Sequence, residues 1–296
     1  FLTIYSIVQD HSFYFCSGEF TLSIIADTDL VMEGLGEVVL HPLDDFVLDQ
    51  KNGSLSLSNI EIEGRLLFDN SQVSMDSIDI HSVDAGSYSA IEAEDTTLTM
   101  QDVLIHNNES AMAGGGVYLQ NSILEMNSSN VYENQALNAG GLYANESSIS
   151  MTDSSIFDNT AEVGGGILLQ GSTASCTGNT AGTVGVYENM GGGIFLDDAS
   201  SLTATNCDFE AQGMHNEPYD LVSEERHYFA QEDGTFFCAQ GICGSSIAYT
   251  VNGLLVDDYS NNYAFRGNIY DVSGYPTLDN FDMALDFSTC DIDFYV

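Results

Sequence analysis

Short segments in which apolar residues alternate with Ser, Thr or other polar residues recur along this chain. Segments such as SLSLS, TLTMQ and SISMT have a period of two, which predicts β-strands with one apolar and one polar face. Six such segments contain Leu55, Val73, Leu98, Leu124, Ile149 and Leu202. The steps between them are 18, 25, 26, 25 and 53 residues, and the last step equals two repeats with one degenerate copy between them.

Glycine pairs form a second series with the same period. The pairs are Gly115 with Gly116, Gly140 with Gly141, Gly165 with Gly166, and Gly192 with Gly193. The aliphatic residues that follow them, Val117, Leu142, Ile167 and Ile194, recur after 25, 25 and 27 residues, a period typical of stacked repeats. Such a repeat is too short for a βαβ unit, so we expect right-handed coils of short parallel strands with glycine at one corner. These aliphatic residues should form one buried column, and Met75, Met100, Met126 and Met151 another.

Asparagine marks a third recurrent position, three residues after an aliphatic residue. Asn108, Asn134 and Asn159 recur at steps of 26 and 25 residues. One interpretation is a ladder of amides inside or at a corner of the coils, each bonded to the next coil. The alternative is an exposed turn in which Asn is favoured for its left-handed conformation. A further match ending at Asn179 arrives about five residues early and another ends at Asn189, so the register of that coil stays open.

Together the glycine and asparagine motifs resemble the repeat pair of polymorphic outer membrane proteins and related bacterial surface proteins. The resemblance covers about residues 53 to 209, with Ile or Val where Phe is usual before Asn. It implies an all-β fold, a right-handed parallel β-helix. Residues 14–40 are similar to the opening coils of many bacterial β-helices, and there Gly34 and Gly36 are expected to supply the positive φ of a tight corner.

The repeat pattern stops after Phe209 and divides the chain into three parts. We expect residues 1–209 to form the β-helix. Residues 210–244 lack the repeat but contain five Tyr and Phe residues, which favours a C-terminal cap or connector over a plain linker. Residues 245–296 contain short aromatic-rich segments between turn residues, and we expect them to begin a β-sandwich-like module.

The charge of the chain limits its partners. It contains 45 Asp and Glu residues against four Lys and Arg residues, for a net charge of −41. This charge excludes nucleic acid, whose phosphates need basic residues, and argues against an anionic membrane surface. A surface this acidic suits salty water, as in a marine or halophilic bacterium. No cofactor is expected, although scattered carboxylates could bind Ca²⁺ weakly.

Cysteine usage and the absence of targeting segments bear on location. Cys238 and Cys243 bracket a short turn-like stretch and are candidates for a local disulfide in an oxidising compartment. Cys176 and Cys207 could pair or fill the core, while Cys16 and Cys290 are left unassigned. The sequence contains neither a transmembrane run nor a signal peptide. We expect a piece of a longer protein, without membrane insertion of its own, located outside the cell or on the outer-membrane surface.

Candidate catalytic and metal-binding residues are few. Asp197 and Asp198 follow the GGGIFL strand and are the best-placed carboxylate pair for glycoside hydrolysis. Adjacent acids are expected by chance in this composition, so a turn or surface role is the more economical interpretation. The six histidines show no i, i+4 pair and no Cys partner at metal-binding spacing, so no metal site is predicted. His106 is expected to lie at the surface.

These observations predict a non-catalytic β-helix stalk that acts as an adhesin-like or structural display module. Its partners would be a host or neighbouring cell surface, or glycans. The alternative is a polysaccharide-active enzyme, a lyase or glycoside hydrolase, because right-handed β-helices also support such enzymes. Convergence of Asp197, Asp198 and Glu210 around one sugar would favour the enzyme.

Overall fold

A computed structural model describes residues 10–83, 86, 89–177, 180–183, 193–197 and 199–205, and six short strands beyond them. Side chains at 180–183, 196, 201, 203–205 and in those six strands lie outside the description. Every regular element in this part of the chain is a β-strand. All but two of the strand pairs are parallel, and most strands pair with the strand about one repeat further along, so the chain winds into the coils of a parallel β-helix.

Each coil has three faces, which we call the first, second and third face in chain order. Two long strands, Leu48–Ile62 and Leu66–His81, each cross all three faces. They bend between faces at non-glycine residues with positive φ: Asn52 and Asn59 in one strand, Asn70 and Ser77 in the other. Asn tolerates this left-handed conformation better than most residues. The bends therefore allow one continuous strand to wrap around the core.

Most of the remaining strands each belong to one face. The first face contains Ile24–Ala26, Ile91–Glu94, Val117–Gln120, Leu142–Asn145, Ile167–Gln170, Ile194–Leu196, Leu221–Ser223 and Tyr263–Phe265. The second contains His11–Phe15, Leu30–Gly34, Thr97–Gln101, Ile123–Asn127, Ser148–Thr152, Thr173–Thr177, Ser201–Thr205 and Leu254–Val256. The third contains Gly18–Leu22, Val38–Pro42, Leu104–His106, Asn130–Tyr132, Ser155–Asn159 and Thr180–Thr183. Tyr249–Val251 pairs antiparallel with Leu254–Val256, and Phe236–Phe237 pairs antiparallel with Ile242–Cys243.

The core consists of the inward residues of the three faces, stacked in the predicted columns. The register pairs Val117, Leu142, Ile167 and Ile194 in succession, and likewise Met75, Met100, Met126 and Met151. All eight residues are buried. Both predicted columns are therefore confirmed. The degenerate copy between Ile149 and Leu202 is Ala174, which pairs with both.

The irregular coil has a different register from the one suggested by its asparagine. Cys176 is buried on the second face and pairs with Met151, so it continues the methionine column. The residue that pairs with Ile156 on the third face is Ala181. The match ending at Asn179 is therefore not a copy of the asparagine motif. Residues 178–179 and 184–192, which include the second match, lie outside the described residues.

The opening coil corrects another expectation. Neither Gly34 nor Gly36 has a positive φ. Both positions instead lack space for a side chain, since a Cβ at Gly34 would lie 2.0 Å from the carbonyl oxygen of Asn59. At Gly36 a Cβ would lie 2.1 Å from Ser17 Oγ. Glycine is required here for close approach between chain segments and not for a left-handed corner.

Parallel pairing continues beyond residue 209. Ile194–Leu196 pairs with Leu221–Ser223, which in turn pairs with Tyr263–Phe265, and Ser201–Thr205 pairs with Leu254–Val256. These strands fall in the stretches predicted as cap and β-sandwich-like module. Most residues of 210–296 lie outside the described part, so the boundaries at 209 and 244 stay predictions.

Candidate functional site

The three predicted asparagines lie one above another, buried at the corner that leaves the third face. Asn108 donates from Nδ2 to Asn134 Oδ1 at 2.9 Å, and Asn134 donates to Asn159 Oδ1 at 3.0 Å. The same oxygens accept the backbone N–H groups of Asn108 and Asn134 at 3.1 and 3.0 Å. Each amide thus bonds both the backbone and the amide of a neighbouring coil, which is the ladder arrangement and not the exposed turn.

The glycine pairs lie against this amide ladder. A Cβ at Gly116 would lie 2.8 Å from Val131 Cγ1. A Cβ at Gly141 would lie 3.0 Å from Asn159 Nδ2 and 2.6 Å from the carbonyl oxygen of Gly166, one coil later. The glycine and asparagine motifs are therefore two parts of one tightly packed corner. Gly115, Gly140, Gly165, Gly166 and Gly193 are also buried there, while Gly192 lies outside the described residues.

Sequence reasoning missed two further ladders, made by hydroxyl groups at the other corners. One ladder lies between the first and second faces, where the backbone N–H of each member donates to the side-chain oxygen of the equivalent residue one coil later. Its members are Ser71, Thr96, Ser122, Ser147, Ser172 and Ser200. Between the second and third faces, Val103, Ser129 and Ser154 are linked in the same way. The signal that could have found them is Ser or Thr recurring at steps near 25 directly after a turn residue.

The outer surface of the second face is nearly free of charge. From Ser54 to Thr177 the register aligns 18 outward positions, three in each of six coils: Ser54, Ser56, Ser58, Gln72, Ser74, Asp76, Thr97, Thr99, Gln101, Ile123, Glu125, Asn127, Ser148, Ser150, Thr152, Thr173, Ser175 and Thr177. Twelve are Ser or Thr, three are amides, two are acids and one is Ile123. We call this surface the hydroxyl face. A shallow groove of about 500 Å³ crosses its N-terminal coils.

The outer surface of the third face has a different chemistry. One outward column runs through His41, Glu63, His81, His106, Tyr132 and Phe157, because the register pairs the residues next to them from coil to coil. A parallel column beside it includes Glu19, Glu61 and Asp79. Three of the six histidines of the chain therefore lie among four carboxylates on one face.

Glu61, Glu63 and His81 form the closest group on this face, and we call them the His–Glu cluster. One ligand atom from each lies within 4.8 Å of the others. His81 Nε2 lies 2.9 Å from Glu61 Oε1, and His41 Nδ1 lies 3.0 Å from Glu63 Oε2. The sequence separation between the members of each pair is 20 or 22 residues. A search for ligands at i, i+4 spacing cannot find such a group, whereas a search at the residue spacing of one coil can.

Aromatic rings continue the same column above the cluster. The ring centroids of His81, His106, Tyr132 and Phe157 are separated by 5.1, 4.7 and 5.0 Å in succession, and the rings are stacked. His106 also lies 2.9 Å from Asp79 Oδ1. Only 16% of its side chain is exposed, so it is more buried than a surface histidine. On the first face, Tyr118 and Tyr143 stack in the same way at 5.1 Å.

Burial raises the pKa of Tyr118, Tyr132 and Tyr143, and nearby negative groups add to the shift. The carboxylates are Glu92 and Glu94 for Tyr118, Asp79 and Glu133 for Tyr132, and Asp197 for Tyr143. These tyrosines therefore keep their hydroxyl protons to higher pH than free tyrosine. On the hydroxyl-face side, hydrogen bonds from the backbone and side chain of Ser54 hold the pKa of Asp29 below its usual range.

The predicted catalytic candidate Asp197 lies in a turn with its carboxylate engaged. It accepts the Ser200 hydroxyl at 2.6 Å, the Gly171 N–H at 3.1 Å and the Ala199 N–H at 3.2 Å. Asp198 and Glu210, the residues expected to converge with it, lie outside the described residues, as do Cys238 and the side chain of Cys243. Arg65 is buried and pairs with Asp45 and Glu92 at 2.5 and 3.0 Å, so its charge is balanced within the fold.

A family comparison agrees with the architecture. Residues 50–277 match the family described as the right handed beta helix region. Among solved structures, the A-module of the mannuronan C-5 epimerase AlgE4 of Azotobacter vinelandii matches with 12% identity and a TM-score of 0.29, covering 68% of this chain and 87% of that one. No curated protein matches the sequence. Within the described residues, no helix is long and apolar enough to span a membrane. Since the family match covers more than half of the sequence, the chain belongs to the right-handed β-helix family.

Proposed function

We propose that this chain is a non-catalytic binding and display module whose hydroxyl face contacts a neutral, hydroxyl-rich polymer such as a glycan. The composition of that face carries the proposal. Hydroxyl and amide side chains fill 15 of its 18 outward positions, although the whole chain has a net charge of −41. Ser, Thr, Asn and Gln both donate and accept hydrogen bonds, as sugar hydroxyls do. Contact with such a surface also avoids the cost of desolvating charges.

The regular spacing of the face supports an extended ligand. Parallel strands repeat at about 4.8 Å, so six coils present the same three positions over roughly 25 Å. The corner ladders hold these coils in register, which reduces the conformational entropy that binding would otherwise cost. A rigid and repetitive surface suits a polymer better than a small molecule, which needs an enclosed pocket.

The setting of this module is part of the proposal. The glycine and asparagine repeats resemble those of polymorphic outer membrane proteins, and the acidic surface suits a salty exterior. We therefore assign an adhesin-like role outside the cell or on an outer-membrane surface, with glycans or a neighbouring cell as partner. Weakly bound Ca²⁺ would serve only to screen scattered carboxylates.

Binding to immobilised neutral polysaccharides such as mannan or β-glucan tests the proposal. We expect retention on neutral polymers and little on alginate, whose negative charge the acidic chain repels. Thr99→Asp and Ser150→Asp, in the centre of the hydroxyl face, should weaken binding about tenfold. Ser128→Asp is the matched control, because Ser128 is an exposed turn residue whose equivalents one coil before and after are Asp102 and Asp153. Equal binding by the face variants and the wild type would contradict the assignment of this face.

The rival function, a polysaccharide-active enzyme, requires a carboxylate free to exchange protons with a substrate. The engagement of Asp197 by three turn donors favours the non-catalytic role. The purified chain should therefore be inert toward pectin and alginate, with or without Ca²⁺. Turnover above the buffer blank that disappears when Asp197 and Asp198 are replaced by Asn would establish the enzyme instead.

A further inference from the structure

The His–Glu cluster has a donor set that the binding function above does not use. We propose that Glu61, Glu63 and His81 bind a divalent first-row transition-metal ion such as Zn²⁺, with His41 as an additional donor. The inference is independent of the hydroxyl face, which lies on the adjacent side of the coils.

The distances suit a shared ion after small side-chain movements. Ligand atoms bound to one Zn²⁺ at about 2.1 Å lie roughly 3 to 4 Å apart, and the three ligand atoms here lie within 4.8 Å of one another. Glu61 and Glu63 are two residues apart in an extended segment, so both side chains point outward on the same side. About 40% of each glutamate side chain is exposed, which leaves their rotamers free to close around an ion and gives the ion access from solvent.

The histidine ring is already oriented by groups outside the cluster. Ser82 Oγ lies 2.9 Å from His81 Nδ1, which leaves Nε2 directed toward the glutamates. The ring also stacks on His106, with centroids 5.1 Å apart. Metal-binding histidines commonly have such a partner on the second ring nitrogen, because it fixes the orientation of the ring. Only 17% of the His81 side chain is exposed, so its position is well defined.

The charge around the cluster favours a cation. Glu19 and Asp79 flank Glu61 and Glu63 on the same face, so four carboxylates lie close together. Lys51 pairs with Asp49, and Arg65 pairs with Asp45 and Glu92. A divalent ion would offset the mutual repulsion of the glutamates. The imidazole favours Zn²⁺, Co²⁺ or Ni²⁺ over Ca²⁺ and Mg²⁺, which prefer oxygen ligands alone.

Titration with Zn²⁺ in a background of millimolar Mg²⁺ tests the proposal, because Mg²⁺ occupies nonspecific carboxylate sites. We expect one tight Zn²⁺ equivalent by calorimetry, and His81→Gln and Glu63→Gln should each weaken it by at least about tenfold. Co²⁺ should give a visible absorption band that both variants lose. Circular dichroism establishes that each variant is folded, and two variants on different coils keep the test valid if one of them does not fold.

Two control variants separate this site from the general acidity of the chain. His11→Gln removes an exposed imidazole outside the cluster, and Glu125→Gln removes a carboxylate from the hydroxyl face. Both should bind Zn²⁺ within about twofold of the wild type, since neither supplies a ligand. Equal Zn²⁺ affinity in the wild type and His81→Gln, or Zn²⁺ binding abolished by Mg²⁺, would overturn the proposal.

Discussion

The second and third faces of this β-helix share one backbone geometry but present opposite chemistry to solvent. The hydroxyl face carries two acids and no aromatic ring in its 18 outward positions. The third face carries three histidines, four carboxylates and the stacked rings of Tyr132 and Phe157 within a few coils. Both faces are sides of the same coils, and the same corner ladders hold them in place. In a solenoid, therefore, the outward columns of each face are chemically independent, while the corners are common to all of them.

Replacement of Asn134 by Leu should disrupt a corner ladder, which the two faces share. Asn134 accepts from the N–H and Nδ2 of Asn108 and donates to the carbonyl of Ile105 at 2.9 Å, and Leu leaves these buried groups without that partner. We expect a loss of about 2 kcal/mol in the free energy of unfolding, measured by urea denaturation. Asn145→Leu is the control, because Asn145 lies partly exposed on the first face and should cost under about 0.5 kcal/mol. Equal effects would show that the ladder contributes little.

Removal of one aromatic ring from the third face should lower the free energy of unfolding more than removal of one hydroxyl from the hydroxyl face. Tyr132 stacks between His106 and Phe157, at 4.7 and 5.0 Å. Tyr132→Ala removes both stacking contacts and should cost about 1.5 kcal/mol. Ser150→Ala, on the hydroxyl face, should change the free energy of unfolding by less than about 0.5 kcal/mol. A Ser150 effect as large as the Tyr132 effect would mean that the hydroxyl columns stabilise the fold and are not reserved for a ligand.

Salt should act on the charged surfaces and not on the hydroxyl face. The Debye length shrinks from beyond 10 Å to about 3 Å between roughly 0.05 and 1 M NaCl, which screens the repulsion among 45 acids. We expect the melting temperature to rise by about 3 °C, equivalent to about 1 kcal/mol. Glu125→Gln should leave this rise unchanged, since it removes an isolated carboxylate. A flat profile would show that the charges are spaced well enough to cost little, and stabilisation by Ca²⁺ far beyond NaCl of equal ionic strength would indicate specific sites.

Alkaline pH should produce the smallest difference between the faces. The pKa of Tyr132 is raised above the usual value of 10.0, mainly by burial. The folded protein therefore holds this proton more tightly than the unfolded chain, so the stabilisation is present below pH 10 and is lost as the pH rises through the raised pKa. Tyr132→Phe should reduce the decline in melting temperature above pH 10, whereas Ser150→Ala should not. An unchanged decline in Tyr132→Phe would place its origin elsewhere, for example at Tyr118 or Tyr143.

The repeat itself could be read from the sequence to the level of individual columns. Met75, Met100, Met126 and Met151 stack as their alternation predicted, and the missing copy was found at Ala174. Predictions from the sequence were wrong or open where the local geometry of the chain, and not its periodicity, decided the conformation. Gly34 and Gly36 were expected to adopt positive φ but instead allow two chain segments to approach closely. The register of the coil containing Cys176 required the actual pairing, because two asparagines offered competing alignments.

The sequence by itself determined the strands, the coil length and the residues that face the core, because alternation and a 25-residue period are local properties of the chain. Only the tertiary structure decided which outward residues meet. Glu61 and His81 are 20 residues apart and His81 and His106 are 25 apart, yet both pairs are neighbours, because one coil returns the chain to within a single strand spacing. Contact between such residues depends on the length of every turn between them, since one added residue moves a side chain to the other face. The chemistry of the third face therefore follows from the winding of the coils and not from any local motif.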